Sequence, residues 1–205
     1  MLEATNLGCV RGDRRLFSAV NFALHPGSLL QVRGPNGSGK TSLLRLICGL
    51  LAPAEGEIRW QGANIRSLGE DYFNSLSYIG HRNGIKEELT PIENLRVTNG
   101  VMGTELGQQA ATTVLRELGL SGREHLPARL LSEGQRRRTA LARLLTSEKS
   151  VWVLDEVLTS LDSSAVQFVT SLIKEHLNKG GIAVVATHHD LELSTDSHQR
   201  LDLAS

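Results

Sequence analysis

Apolar residues along the chain follow two rhythms. Short, nearly unbroken runs occur at Leu29-Leu30-Gln31-Val32-Arg33, Ile58-Arg59-Trp60, Val151-Trp152-Val153-Leu154 and Ile182-Ala183-Val184-Val185-Ala186. Runs of this length, rich in β-branched residues and bounded by turn residues, predict strands. Those apolar at every position predict parallel strands buried on both faces. Between them the spacing becomes helical, over residues 41–50 and again over 164–177, where Lys179-Gly180-Gly181 supplies the stop. Residues 51–56 read as a loop. Strand, helix and strand in alternation predict an α/β fold with a doubly wound, mostly parallel sheet.

From about residue 85 to residue 130 the pattern favours helix, with turns at Thr90-Pro91, Gly100, Gly103, Gly107, Gly119 and Gly122. Leu131-Ser132-Glu133-Gly134-Gln135 then opens a further helix, with Ser132 as N-cap and Gln135 completing a capping box. We expect residues 1–205 to form one domain, with about 85–147 as an inserted helical subdomain. No internal repeat or low-complexity segment interrupts it.

Charge and cysteine content narrow the function classes. The 22 Lys+Arg balance 22 Asp+Glu, so the basic surplus typical of nucleic-acid binders is missing and no nucleic-acid partner is expected. Cys9 and Cys48 match no metal spacing, and Cys48 lies in an apolar run, which fits a small buried hydrophobe in a reduced compartment. The segment Met1-Leu2-Glu3-Ala4-Thr5 lacks the character of a signal peptide. No apolar run approaches the roughly 20 residues of a spanning helix, so a membrane role is expected to come through a partner.

Three segments carry chemistry. Gly34-Pro35-Asn36-Gly37-Ser38-Gly39-Lys40-Thr41 fits the phosphate loop G-x-x-x-x-G-K-[ST], set between a predicted strand and a predicted helix. Its glycines let successive backbone N–H groups turn toward phosphate, and the helix adds the positive end of its dipole. Lys40 is expected on the β- and γ-phosphates and the Thr41 hydroxyl on Mg²⁺. The apolar strand ending at Asp155 delivers a second Mg²⁺ ligand, and Glu156 follows where an acid can polarise water against the γ-phosphate. The third segment, residues 131–135, is by itself only a capped helix start.

In this order the segments resemble the ATP-binding-cassette (ABC) family, whose signature Leu-Ser-Gly-Gly-Gln is met here with Glu133 in place of the first glycine. Ser160-Leu161-Asp162 resembles the family's D-loop, and Thr187-His188 its switch histidine. The resemblance spans nearly the whole chain. It implies the P-loop NTPase cassette fold, with an N-terminal antiparallel β part ahead of the parallel core. It also implies ATP and Mg²⁺ as cofactors, and a second ATPase subunit in an ATP-dependent homodimer. In such a dimer Ser132, Gly134 and Gln135 of each copy cover the other's nucleotide, Asp162 couples the two sites, and His188 senses the γ-phosphate.

Within the family, the short length and two stretches resemble the ATP-binding subunit of the haem exporter of cytochrome c maturation. The stretches are Ile79-Gly80-His81-Arg82-Asn83-Gly84-Ile85-Lys86-Glu87-Glu88-Leu89-Thr90-Pro91-Ile92-Glu93-Asn94-Leu95 and Arg11-Gly12-Asp13-Arg14-Arg15-Leu16-Phe17-Ser18. This implies integral-membrane transporter subunits as partners and a peripheral place on the cytoplasmic face of the bacterial inner membrane. A soluble ABC ATPase of translation or repair usually carries two cassettes or a long coiled-coil insertion, and this chain shows neither. A non-hydrolysing nucleotide switch is the other alternative, opposed by Glu156 and His188.

Three positions depart from the family pattern. His81 stands where most members place a glutamine on Mg²⁺ and the attacking water; it either takes over part of that role or is a surface histidine. Arg11 stands where many members stack an aromatic ring on adenine; it either stacks through its guanidinium or is solvated. Val157 replaces a proline, which loosens the turn that places Glu156.

Overall fold

Three strands whose side chains are buried at nearly every position lay down the core of the fold. The computed structural model describes residues 1–159, 161–189, 191 and 197–203; Ser160 of the D-loop lies outside them. One compact unit comprises Met1–Tyr78, Lys149–Val157 and the described residues of Thr170–Ser205. Its elements are β1 (Leu2–Arg11), β2 (Arg14–Leu24), β3 (Leu29–Arg33), α1 (Lys40–Ile47), β4 (Glu55–Trp60), β5 (Ala63–Asn64), α2 (Ile65–Leu68), α3 (Glu70–Ser75), β6 (Leu76–Ile79), β7 (Val151–Asp155), β8 (Ile182–Ala186) and β9 (His198–Asp202).

The strands form two sheets. The first, in the order β2-β1-β4-β5, is antiparallel, as the family resemblance implies for the N-terminal part. The second runs β6-β7-β8-β3-β9, with β8 parallel to β7 and β3, and β9 parallel to β3. Every residue of β7 and β8 is buried, which is why both read as unbroken apolar runs.

Helix α1 packs on β7 and β8 through Leu43, Leu44, Leu46 and Ile47, all essentially inaccessible. Burying a side chain of this size stabilises by about 1.5–3 kcal/mol. The helix ends at Ile47, three residues short of the predicted limit, because Gly49 takes a φ of 69°. The Leu50 N–H then reaches the Arg45 carbonyl (2.9 Å) and the Gly49 N–H the Leu46 carbonyl (3.0 Å), the bonding of a Schellman stop.

The second unit comprises Ile79–Glu148 and Leu158–Val169. It holds α4 (Pro91–Val101), α5 (Gln108–Glu117), a 3₁₀ turn (Ala128–Leu130), α6 (Glu133–Leu145) and the start of α7 (Ser163–Asn178). Thr90 and Glu93 form a capping box at α4, with Pro91 at its first position. Buried Asn94 donates to the carbonyls of Lys86, Leu89 and Thr90, so the loop before α4 is tied to the helix itself. No described helix is long and apolar enough to cross a membrane.

Candidate functional site

The carboxyl ends of β3, β7 and β8 lie side by side, with Val32 and Asp155 each in register with Ala186. Open α/β sheets bind ligands beyond such strand ends. Residues 34–41 leave β3 here and run into α1. Gly34 has φ 146°, and a Cβ there would stand 2.5 Å from the Leu203 carbonyl oxygen and 2.6 Å from Ser38 Oγ. Gly39, the N-cap of α1, has φ 103°, and a Cβ would meet the Phe17 ring at 3.0 Å. No side chain caps α1 and no acid sits in its first turn, so its leading amides are left for an anion.

Lys40 is 8% exposed, and its ammonium donates to the carbonyls of Gly34 (2.7 Å) and Pro35 (3.3 Å). It also lies 3.8 Å from Glu156 Oε1 and 3.4 Å from His188 Nε2, and those two atoms are 3.4 Å apart. Three groups, one from the first residue of α1 and two from just beyond β7 and β8, thus converge on one point: a cation, a carboxylate and an imidazole. Phosphate entering among them would exchange neutral carbonyl acceptors on Lys40 for charged ones. Such a contact contributes about 1.5–3 kcal/mol. Lys40→Ala should therefore weaken ATP binding roughly ten- to hundredfold, as measured by calorimetry; unchanged affinity would remove the loop from the phosphate site.

Asp155 is fully buried, and among the described residues neither of its carboxylate oxygens has a hydrogen-bond partner. An ionised group so placed costs several kcal/mol unless something charged completes it. The buried carboxylate that ends β7 and the partly exposed Thr41 hydroxyl in the first turn of α1 are oxygen donors of the kind Mg²⁺ takes, with water or phosphate filling the rest, so the residues fit that ion. The negative field is felt nearby: burial, and next the Asp155 carboxylate, push the Cys48 thiol and the Tyr78 phenol above their ordinary ranges.

Glu156 adopts φ 53°, a left-handed conformation that costs a non-glycine residue about 1–3 kcal/mol. Its N–H is held by the Ala186 carbonyl at 2.9 Å, and Val157 behind it is fully buried. The turn lacking proline is anchored by that buried side chain.

In the second unit Ser132 is exposed at the start of α6. Its Oγ accepts from the Gln135 N–H (3.2 Å) and Gln135 Oε1 accepts from the Ser132 N–H (3.0 Å), the predicted capping box. Glu133, the departure from the signature, would repel phosphate if free. Its carboxylate accepts from Arg136 at 2.9 Å and from Asn83 at 2.9 Å, and these, Arg136 first, hold it below the usual carboxylate range. Asp162 caps α7 by accepting from Ala165 N–H (2.8 Å) and Ser164 Oγ (2.7 Å), and it pairs with Arg138 of α6.

His81 is exposed, and its carbonyl accepts from buried Arg137 (2.9 Å), which also donates to Gly80. Sequence reasoning passed over Arg137 and Arg138 as part of one basic helix; the only signal was a cationic triplet in an otherwise amphipathic segment. Arg11 is exposed at the end of β1, in register with Arg14 across the hairpin.

The pattern of the ABC transporter family matches residues 17–159. The chain is 56% identical over 202 residues to the cytochrome c biogenesis ATP-binding export protein CcmA of Nitrosospira multiformis, covering 98% of each. It is 52% identical over 204 residues to the protein of the same name from Nitrosomonas europaea, covering 100% of this chain and 96% of that one. Its fold is shared with a putative ABC transporter ATP-binding protein from Pyrococcus furiosus (TM-score 0.83, 23% identity, 98% of this chain and 96% of that one). A bacterial ABC transporter cassette solved as a dimer has a TM-score of 0.82 at 23% identity, over 100% of this chain and 94% of that one. With the family pattern across most of its length and relatives above 50% identity nearly end to end, the chain belongs to the ABC transporter family, as one of its ATP-binding cassettes.

Proposed function

We propose that this cassette is the ATP-hydrolysing subunit of a membrane exporter serving cytochrome c biogenesis, with haem as the exported group. The observation that carries the hydrolytic part is the convergence of Lys40, Glu156 and His188 beside the partnerless Asp155 carboxylate. The export role comes from relatives that bear that name and align along nearly the whole chain.

Residues 34–41 wrap the β- and γ-phosphates with backbone N–H groups, and Lys40 reaches both. Thr41 and Asp155 would hold Mg²⁺, which when bound neutralises charge on the phosphate oxygens. Glu156 orients the attacking water and takes up its proton as oxygen bonds to the γ-phosphorus. The bond from that phosphorus to the bridging oxygen breaks, and ADP and phosphate form. His188 donates an imidazole N–H to the γ-phosphate, where charge is redistributed.

Two copies act head to tail, and Ser132, Gly134 and the α6 amide end of one cover the nucleotide of the other, with Gln135 fixing the cap. Asp162 and the D-loop link the two sites. Residues 1–205 work as one cassette, with about 85–147 as its helical subdomain. The loop at His81 faces the membrane subunits, which hold the cassette at the cytoplasmic face of the inner membrane, and Arg11 borders the base.

A strain lacking this gene should lose c-type cytochromes while keeping other haem proteins, read by haem staining of denaturing gels. Normal levels of covalently attached haem would withdraw the export assignment and leave the ATPase assignment standing.

A further inference from the structure

Gln31 stands in β3 between Leu30 and Val32, and it is fully buried. Its strand lies between β8 and β9 in the sheet. Its Nε2 donates to the backbone carbonyl of His189 at 2.8 Å, and its Oε1 lies 3.2 Å from His198 Nε2 at the start of β9. His189 directly follows the exposed His188.

The same short segment is pinned at two other points. The Thr187 N–H reaches the Val32 carbonyl at 3.4 Å, and the His189 N–H donates to Thr187 Oγ1 at 3.0 Å. His188 is therefore an exposed side chain on a backbone gripped on both sides. On the downstream side the grip is the buried amide of Gln31. Loss of the bond to the His189 carbonyl would free one anchor of the segment that carries the imidazole, whose Nε2 stands 3.4 Å from both Glu156 Oε1 and Lys40 Nζ.

We propose that Gln31 is a positioning residue for hydrolysis: by holding the His189 carbonyl it sets the backbone that aims His188 at the γ-phosphate. This rests on the reading of His188 given above. Misplacement of a reacting group by about 1 Å costs on the order of a hundredfold in rate, and partial release of one anchor should cost less.

The test replaces Gln31 with methionine, which has similar length and no hydrogen-bonding amide, and measures steady-state ATP turnover of the whole chain. Gln31→Met should lower kcat about tenfold or more, with KM for ATP within about twofold, because the phosphate loop and Lys40 are held by other bonds. Gln31→Glu should lower kcat too, since a carboxylate oxygen would face the His189 carbonyl in place of a donor. In a His188→Ala background, Gln31→Met should cause no further loss, the mark of two residues acting as one unit.

Normal kcat in either folded Gln31 variant, or a full additional loss in the His188→Ala background, would overturn the proposal. Failure of both variants to fold would also overturn it, making Gln31 a stability residue. If His188→Ala turns over normally, the parent reading of His188 falls instead.

Discussion

Glu156→Gln should lower ATP turnover by roughly two or more orders of magnitude, the scale on which positioned proton-transfer groups act. ATP binding should persist. The carboxylate is the one acidic member of the cluster with Lys40 and His188, while the phosphate-binding loop and the Asp155 carboxylate are built from other residues. Glutamine keeps the size and the backbone, so the 53° φ and the bond to the Ala186 carbonyl remain as they are. Single-turnover kinetics with a parallel binding titration would check it. A dimer trapped with ATP should accumulate on gel filtration. Near-normal turnover would sink the assignment of Glu156 as the base.

Replacing Ser132 by arginine should abolish turnover and leave ATP binding by the isolated chain intact, because in the proposed dimer this serine serves the nucleotide of the other copy. The substitution also removes a helix cap, which costs about 0.5–2 kcal/mol, and that loss must be separated from the loss of the clamp. Ser132→Asp separates them. Aspartate caps as well as serine does, so α6 stays closed, yet it sets a negative charge against the γ-phosphate and should be equally inactive. A mixture of Ser132→Arg chains with Lys40→Ala chains gives heterodimers with at most one intact composite site, and their activity should not exceed half that of wild type. Ser132→Arg chains that hydrolyse ATP at the normal rate would end the composite-site reading.

Much of this was legible in the chain because it is local. The phosphate loop needs eight consecutive residues and their backbone freedom, and Gly34 and Gly39 occupy positions where a Cβ would collide. The Ser132–Gln135 capping box depends on a spacing of three, and the structure forms both of its bonds. The parallel strands β7 and β8 declared themselves by apolar runs, and β3 by alternation ahead of a glycine-rich turn.

Local signals failed where the partner decided the outcome. β9, His-Gln-Arg-Leu-Asp, is polar at four of its five positions and exposed along much of its length, and it becomes a strand because β3 offers its free edge. The family resemblance was needed to foresee the antiparallel sheet of β1 and β2, whose exposed residues blur the alternation. α1 stopped early at Gly49, a glycine that sequence spacing treated as one more helical position.

The chain by itself therefore determined the candidate segments: a glycine-rich loop, an acid pair after an apolar strand, a capped helix and a histidine after the last buried strand. Each of these is a short-range pattern, set by backbone sterics, side-chain period or a cap three residues long. Only the tertiary structure decided that Lys40, Glu156 and His188 meet, that Asp155 is left without a partner, and that Gln31 is a buried clamp and not a polar position in a half-exposed strand. Those facts join residues up to 158 positions apart, and they follow from how the whole sheet packs, which no local spacing encodes.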